Sequence, residues 1–338
     1  MGDLPAERLA MFSPPFYRTA VDYFGSIEVG YGQNRTTKRY GALFIFLTTR
    51  AVHLEVATSL STEDFLMTLR RFLALYGTPA SINSDNGTNF IGAEKELLRE
   101  VKTLSKETSL HNWTNKEGVT WNFQPPRAPH FGGAHESLVR STKLALYRAL
   151  DIEKKRNRYP SEEVLRTLFA EVTSLLNSRP LGYISSDPKD LKPLTPNDLL
   201  NRPPGHLRVP FISPQDADPA KRYRYVQHMA DVFWDIWKGK YLQSLMTRQK
   251  WKTKQRNLQV GDFVLLTEQH QLRREWPTGT VTETYPGKDD LVRVVKIRTA
   301  SGEFKRAVHQ LDLLEAVDAK TKHPASLVSG EDGTAKTG

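Results

Sequence analysis

The chain has 338 residues, 38% of them hydrophobic and 25% charged, which is typical of a globular protein with about two domains. It has no cysteine, which excludes disulfides, thiolate zinc sites and cysteine nucleophiles, and no apolar run reaches the roughly 18 residues of a membrane span. The formal net charge of +10 favours an acidic partner, and we expect no membrane association.

The first half of the chain predicts an α/β unit. Short turns join the first three strands, which are therefore expected to be antiparallel neighbours, and Ser61 is placed to cap a helix that Gly77 ends. The predicted elements are strands Thr19–Val29, Arg39–Thr48 and Val52–Ala57, a helix after Ser61, a strand Ala80–Ser84, a helix over about Phe90–Leu104 and a strand Val119–Gln124. This order predicts an RNase H-like fold, with a mixed five-stranded sheet and flanking helices.

The second half predicts more helices, a connector and a small β domain. A proline- and glycine-rich loop, Pro125–Gly133, opens a helix over about Ala134–Leu150, and another helix fits Ser161–Ser178. Nine of the 20 prolines lie between Pro180 and Pro219, which indicates an extended connector. An amphipathic helix from Tyr223 to about Lys250 follows, and then the strands of an SH3-like β-barrel: Val260–Leu266, Gly279–Thr284, Leu291–Thr299 and Glu303–Leu311.

The positive charge is concentrated in two segments. Lys221–Arg256 contains ten Lys or Arg and two Asp, a net charge of +8, and Ser137–Arg158 contains seven basic and two acidic residues, a net charge of +5. The first segment ends in a stretch predicted to contact DNA phosphates: Arg248, Lys250, Lys252, Lys254 and Arg256. Its aromatic residues are interpreted as helix-packing residues rather than base-stacking ones: Trp234, Trp237 and Tyr241.

Three carboxylates could carry chemistry. Asp22 interrupts an apolar strand, where an unpaired carboxylate would be costly and needs a cation, a donor or a proton. Asp85 lies at the exit of the fourth strand, and Glu136 lies one turn into a helix. If the three converge, they form a hard oxygen site suited to Mg²⁺. Taken singly, Asp85 could instead be a turn residue and Glu136 could stabilise a helix N-terminus.

The sequence around these residues resembles the integrases of retroviruses and long-terminal-repeat retrotransposons, most closely those of the BEL/Pao group. The resemblance extends from about Leu4 to Glu315. The motifs that carry it include Val21–Gly25, Ser84–Phe90, Pro125–Gly133 with Glu136, Asn177–Leu181, Leu194–Pro196, Trp237–Lys238, Tyr241–Leu242, Lys250–Trp251 and Val260–Asp262. Several such motifs in order are specific, whereas Ser-Asp-Asn-Gly alone would not be.

The resemblance implies a D,D,E site in which Asp22 contacts both of two Mg²⁺ or Mn²⁺ ions, while Asp85 and Glu136 each hold one. It implies that water trims the 3′ ends of the element DNA and that each 3′-hydroxyl then attacks target DNA. The partners would be double-stranded element ends and target DNA, the active form a homo-oligomer, and the location the nucleus.

Two further groups of residues are assigned roles by the resemblance. Arg140 and Lys143 lie four and seven residues after Glu136 on one helical face, where related integrases hold the DNA end. A solvated basic face is the alternative for this pair. The segment before the helix is expected to form a mobile loop over the site, and it contains His130, Phe131, Gly132 and Gly133.

The chain also departs from the family pattern. Asp85 and Glu136 are further apart than in typical retroviral integrases, and no His/Cys zinc domain is present, so no zinc is expected. The alternatives to a complete, active integrase are a fragment, a truncated gene model and a domesticated non-catalytic DNA-binding protein. A plain metal nuclease of the same fold is a further alternative. The predicted domains are a linker remnant 1–15, a catalytic core 16–180, a connector 181–220, a basic helix and linker 221–256, a DNA-binding barrel 257–315 and a disordered tail 316–338.

Overall fold

The computed structural model describes residues 13–31, 35–85, 119–124, 133–183, 193–200, 221–245, 256–267, 273 and 276–317. The chain divides into two compact units, the first containing Met1–Leu181, Leu194–Ser244 and Gln271–Glu275, and the second the remainder. The predicted helix near Phe90–Leu104 and residues 318–338 of the predicted tail lie outside the described residues. Among the helices of the described part, none is both long and apolar enough to cross a membrane.

A mixed five-stranded sheet forms the centre of the first unit. Its strands are β1 (Arg18–Gly30), β2 (Thr36–Phe46), β3 (Val52–Ala57), β4 (Ser81–Asp85) and β5 (Thr120–Gln124). They lie in the order β3-β2-β1-β4-β5, with β1, β2 and β3 antiparallel and β4 and β5 parallel to β1. The predicted mixed α/β sheet is confirmed, and β1 is its middle strand.

Helix α1 (Thr62–Tyr76) covers one face of this sheet. The Ser61 side chain accepts a hydrogen bond from the Asp64 amide at its N-terminus, and Gly77, at φ 82°, ends it as predicted. Its apolar stripe packs into a core cluster that includes Val21, Tyr23, Phe44, Phe65, Leu69, Phe72 and Ile82. The Phe44 and Phe72 rings stack with centroids 4.1 Å apart.

Helices α2 (Gly133–Lys155) and α3 (Glu162–Asn177) pack against the opposite face. The Phe24 ring of β1 meets Phe169 of α3 at 5.9 Å and Tyr147 of α2 at 6.1 Å between ring centroids. Because side chains alternate along a strand, Asp22 lies on the same face as Phe24. This face therefore carries both the packing of α2 and the first candidate carboxylate.

Gly41 of β2 makes room for the Phe24 ring. The two residues are register partners, and a Cβ on Gly41 would lie 2.2 Å from the Cζ atom of Phe24. Gly41→Ala is expected to lower the free energy of unfolding by about 1–3 kcal/mol, since an overpacked core forces side chains or backbone to move. Denaturant unfolding of the whole chain measures this loss.

A glycine elsewhere provides the control for Gly41→Ala. Gly239 is helical, and nothing lies within 4 Å of a Cβ placed there. Gly239→Ala is expected to stabilise by up to about 1 kcal/mol through helix propensity. Equal stability of the two variants would contradict the steric role of Gly41.

Helix α3 also contacts the β3 edge of the sheet. The Asn177 side chain accepts a hydrogen bond from the Val52 amide and donates one to the Val52 carbonyl, both at 2.8 Å. Thr173 Oγ1 accepts from the Leu54 amide at 3.1 Å. Edge strands expose unpaired backbone groups, and here two α3 side chains form hydrogen bonds with three such groups of β3.

Two more helices belong to the first unit, the short α4 (Pro196–Leu199) and the long α5 (Lys221–Leu245). Trp234 and Trp237 of α5 are at most 1% exposed, and the Tyr241 hydroxyl donates to the Pro180 carbonyl at 2.9 Å. The aromatic residues of α5 are therefore packing residues, as predicted. In sequence, α3 and α4 are separated by two short strands, β6 (Gly182–Tyr183) and β7 (Pro193–Leu194), which pair in a small separate sheet.

The second unit contains an open antiparallel sheet rather than the predicted closed SH3-like barrel. Its strands are β8 (Phe263–Leu266), β9 (Thr278–Pro286), β10 (Val292–Thr299), β11 (Gly302–Ala307) and β12 (Leu311–Glu315). Their order is β11-β10-β9-β8-β12, and in the described part of the chain β11 and β12 are not paired with each other. The single predicted strand Glu303–Leu311 is wrong, because a 3₁₀ turn at Val308–Gln310 moves the chain from the edge beside β10 to the edge beside β8.

Candidate functional site

Asp22 lies on β1, opposite Leu43 of β2, with its side chain 20% exposed. Its Oδ2 atom is 2.6 Å from the Nζ atom of Lys143 on α2, and the Lys143 side chain is 17% exposed. The strand therefore places a carboxylate against an ammonium in a largely buried position. The sequence predicted that a carboxylate at position 22 needs a cation or a donor, and Lys143 is that cation.

Asp85 ends β4, one residue beyond the strand predicted from sequence. The parallel pairing of β1 with β4 has Val21 opposite Ser84, so Asp22 and Asp85 are the next residues on adjacent strands. Asp85 itself pairs with Gln124 of β5. The backbone therefore brings position 22, inside β1, beside position 85 at the carboxyl end of β4. The carboxyl ends of parallel strands are where open α/β sheets place their sites.

Helix α2 carries the third candidate and both predicted basic residues. It begins at Gly133, one residue before the predicted start, and continues to Lys155. Positions 136 and 143 are seven residues apart, which is about 10.5 Å along the axis and about 20° from the same direction on a regular α-helix. Arg140 is exposed, whereas Lys143 is turned to the sheet.

Lys143 is held by three consecutive residues of β1. Besides its ion pair with Asp22, its ammonium donates to the Tyr23 carbonyl at 3.4 Å and lies 5.8 Å from the centre of the Phe24 ring. One turn further along α2, the Tyr147 hydroxyl accepts from the Gly25 amide at 2.8 Å. Burial raises the pKa of Tyr147, and the nearby Asp22 charge adds to the rise. A charged, hydrogen-bonded seam thus joins α2 to β1.

Several predicted site residues lie outside the described part of the chain: His130, Phe131, Gly132, Arg248, Lys250, Lys252 and Lys254. Asp85 and Glu136 are described in their backbone, and in the described part no group of three potential metal ligands is assembled. Arg256 is described, and its Nη2 atom is 2.8 Å from Oδ1 of the fully buried Asp262. Its predicted phosphate contact stays a prediction.

The second unit carries a cationic groove that the sequence analysis did not single out. The groove is lined by Leu266, Thr267, Val294, Lys305, Arg306, Ala307, His309 and Gln310. The Lys305 ammonium lies 4.5 Å from the centre of the Tyr285 ring, and the Arg306 guanidinium 5.2 Å from that of Phe304. Cations beside aromatic rings are a combination that nucleic-acid surfaces use.

Tyr147 was also missed, although a signal for it exists. Glu136, Arg140, Lys143 and Tyr147 follow one another at helical intervals of four, three and four residues, so they form one stripe along α2. The stripe could have been extended to Tyr147 from sequence. No comparable signal marks Lys305 and Arg306, because adjacent strand residues point to opposite faces and the groove depends on the turn that follows them.

Comparison with known proteins gives two findings. The model of a family described as "Family of unknown function (DUF5641)" matches residues 221–314, which contain α5 and almost all of the second sheet. Among solved structures, the chain is similar to a chain of the simian T-cell lymphotropic virus intasome in complex with PP2A regulatory subunit B56 gamma, at 12% identity and a TM-score of 0.36, covering 88% of this chain and 78% of that one. No curated protein matches the sequence.

Proposed function

We propose that the chain is a metal-dependent DNA strand transferase of the retroviral integrase type, related to the BEL/Pao retrotransposon enzymes. Its catalytic residues would be Asp22, Asp85 and Glu136, held by an RNase H-like core. The observation that carries the proposal is the Asp22–Lys143 ion pair of 2.6 Å, because it fixes the α2 stripe that contains position 136 against the strand that carries position 22.

The register of the sheet supports the same assignment. Positions 22 and 85 directly follow the paired residues Val21 and Ser84 on neighbouring parallel strands. Position 136 lies on the same stripe as Lys143, two helical turns nearer the start of α2. Three residues that are far apart in sequence are therefore carried by two neighbouring strands and by the helix whose Lys143 contacts the first of them.

The chemistry of the donors fits a divalent metal. All three are carboxylates, the hard oxygen ligands that Mg²⁺ and Mn²⁺ prefer, and the Asp22 carboxylate already holds a cation in a position that is four-fifths buried. When bound, two such ions would activate the attacking oxygen and neutralise charge on the phosphate. Asp22, Asp85 and Glu136 would hold them, with Asp22 shared between both.

The remaining residues of the stripe would position the DNA. Arg140 is exposed on α2 and would bind a backbone phosphate close to the carboxylates, while Tyr147 anchors α2 to the Gly25 backbone. In each step a new P–O bond forms to water or to a 3′-hydroxyl, and the bond to the displaced 3′ oxygen breaks. The partners are double-stranded element ends and target DNA, bound by several copies of the chain in the nucleus.

A joining assay on branched DNA tests the proposal. Resolution of a branched duplex by reversal of strand transfer needs a single active site, so the chain is expected to perform it with Mn²⁺ or Mg²⁺. Asp85→Asn keeps the shape of the side chain but removes its charge, and it should lower the rate by about 10³-fold, the scale of losing one preorganised charge-stabilising group. Asp151→Asn, an exposed aspartate on α2, is the matched control and should retain activity.

The outcomes separate the competing functions. Activity that survives Asp85→Asn would mean that the catalytic site is misassigned. Salt-dependent DNA binding without any metal-dependent cutting or joining would favour the non-catalytic DNA-binding alternative. Cutting of duplex DNA without joining would favour a plain metal nuclease.

A further inference from the structure

Lys143 occupies the place where Asp22 would bind a metal. The ammonium lies 2.6 Å from Oδ2 of Asp22 and also donates to the Tyr23 carbonyl at 3.4 Å. Both side chains of the ion pair are at most 20% exposed, so water screens their attraction less than at an open surface. Lys143 is thus a bound cation at the central carboxylate of the proposed site.

The proposed site shares Asp22 between two ions and so uses both of its oxygens, which makes the Lys143 ammonium and a divalent ion compete for Oδ2. Mg²⁺ binds carboxylate oxygens at about 2.0–2.1 Å and demands a nearly regular octahedral shell. An ammonium 2.6 Å from the same oxygen would lie within or against that shell, where its charge repels the ion. Lys143 therefore has to leave Oδ2 before a metal can bind that oxygen.

We infer that Lys143 is a displaceable counter-cation, which neutralises Asp22 in the metal-free protein and is released when metal binds. This inference rests on the proposed function, because it takes Asp22 to be a metal ligand. The flexible four-carbon stem of lysine lets the ammonium move away while the helix stays in place. The released ammonium lies one turn from the exposed Arg140, where it can bind a phosphate of the DNA. Metal binding and DNA binding are therefore coupled through one side chain.

Metal binding and thermal stability of the full-length chain together test the inference. Lys143→Met keeps the stem but removes the charge, so the metal-free variant is expected to have a lower melting temperature than the unaltered chain, because Asp22 loses its partner. At saturating Mn²⁺ this difference should disappear, and calorimetric titration should show Mn²⁺ bound about tenfold more tightly. Arg148→Met, which removes an exposed charge from the same helix, is the matched control and should change neither quantity.

The two measurements distinguish displacement from simple repulsion of the metal. Repulsion alone predicts tighter Mn²⁺ binding with no loss of metal-free stability, and that result would overturn the inference. Unchanged or weaker Mn²⁺ binding by Lys143→Met would also overturn it. If Asp22→Asn still abolishes Mn²⁺ binding in either case, the proposed function stands. If Asp22→Asn leaves Mn²⁺ binding intact, the metal site itself is misassigned and both proposals fail.

A measurement on the unaltered chain keeps the test decisive if Lys143→Met does not fold. With ¹⁵N-labelled lysine, an ammonium held in a partly buried ion pair gives a resolved, slowly exchanging signal. The diamagnetic probe Mg²⁺ is expected to remove this signal by releasing Lys143 to solvent. A protected ammonium signal that persists at Mg²⁺ concentrations saturating the site would overturn the inference.

Discussion

Asn177→Leu is expected to destabilise the first unit by about 2–6 kcal/mol, since it leaves two buried backbone groups without hydrogen bonds. The Asn177 side chain is fully buried and provides both hydrogen bonds of the Val52 backbone on the open side of β3. Each buried donor or acceptor left unsatisfied costs about 1–3 kcal/mol, and leucine can satisfy neither. Denaturant unfolding measures the loss, and hydrogen exchange of the Val52 amide locates it.

An exposed threonine on the same helix provides the control for Asn177→Leu. Thr167 Oγ1 donates only to the Glu163 carbonyl within α3, so Thr167→Val should change stability by no more than about 0.5 kcal/mol. Thr173→Val orphans the single Leu54 amide and should fall between the two. A small effect of Asn177→Leu with an unprotected Val52 amide in the unaltered chain would contradict the edge-closing role.

The motif Asn177–Leu181 shows what the sequence could and could not reveal. The motif carried part of the family resemblance, but the spacing of its residues assigned it no physical role. In the structure the Arg179 guanidinium donates to the carbonyls of Leu176 and Arg50, at 2.8 and 2.5 Å, and burial lowers its pKa to about 10. The contact with Arg50 joins residues 129 positions apart, and such a long-range pair cannot be read from one sequence.

The first sheet was predictable because each of its elements carries a local signal. The apolar runs, the Ser61 cap and the Gly77 stop follow from nearest neighbours in sequence, and the short turns dictate antiparallel pairing. The prediction of the second sheet was wrong at one point, where the local signal was misleading. The run from Glu303 to Leu311 is uniformly strand-like, and the exchange of partners at Val308–Gln310 depends on where β8 lies in space.

The candidate site was predicted in part. Asp22 on a buried strand, Asp85 at a strand exit and the basic stripe of α2 followed from residue type and spacing. The direct partner of Asp22 could not be predicted from the sequence. Helical periodicity places Lys143 on one face of α2, but it does not show which strand that face contacts. The packing of α2 on β1 shows that Lys143, which the sequence analysis assigned to DNA binding, is the cation that neutralises Asp22.

Asp312 of β12 is a buried carboxylate in the second sheet that forms no ion pair with another described residue. It lies opposite Leu265 of β8 and is 5% exposed, and among the described residues no group donates to its Oδ2 atom. Burial alone raises the pKa of Asp312 from 3.8 to about 6. Folding therefore favours the protonated form of Asp312, and ionisation of Asp312 at neutral pH lowers the free energy of unfolding.

Asp312→Asn is expected to stabilise the second sheet at pH 7–8 and to remove most of its pH dependence. Because the folded pKa lies above the unfolded one, the penalty is absent below about pH 4, grows as the pH rises through 6 and is complete above it. At 1.36 kcal/mol per pKa unit, the full penalty is at most about 3 kcal/mol. Hydrogen exchange of the β8 and β12 amides, followed from pH 4 to 8, measures this penalty.

Asp290→Asn is the control for Asp312→Asn. It changes an exposed aspartate whose φ of 56° is tolerated by aspartate and asparagine alike, and it should leave the pH profile unchanged. A stability that rises between pH 4 and 7 in the unaltered sheet would show that Asp312 is paired and ionised in solution.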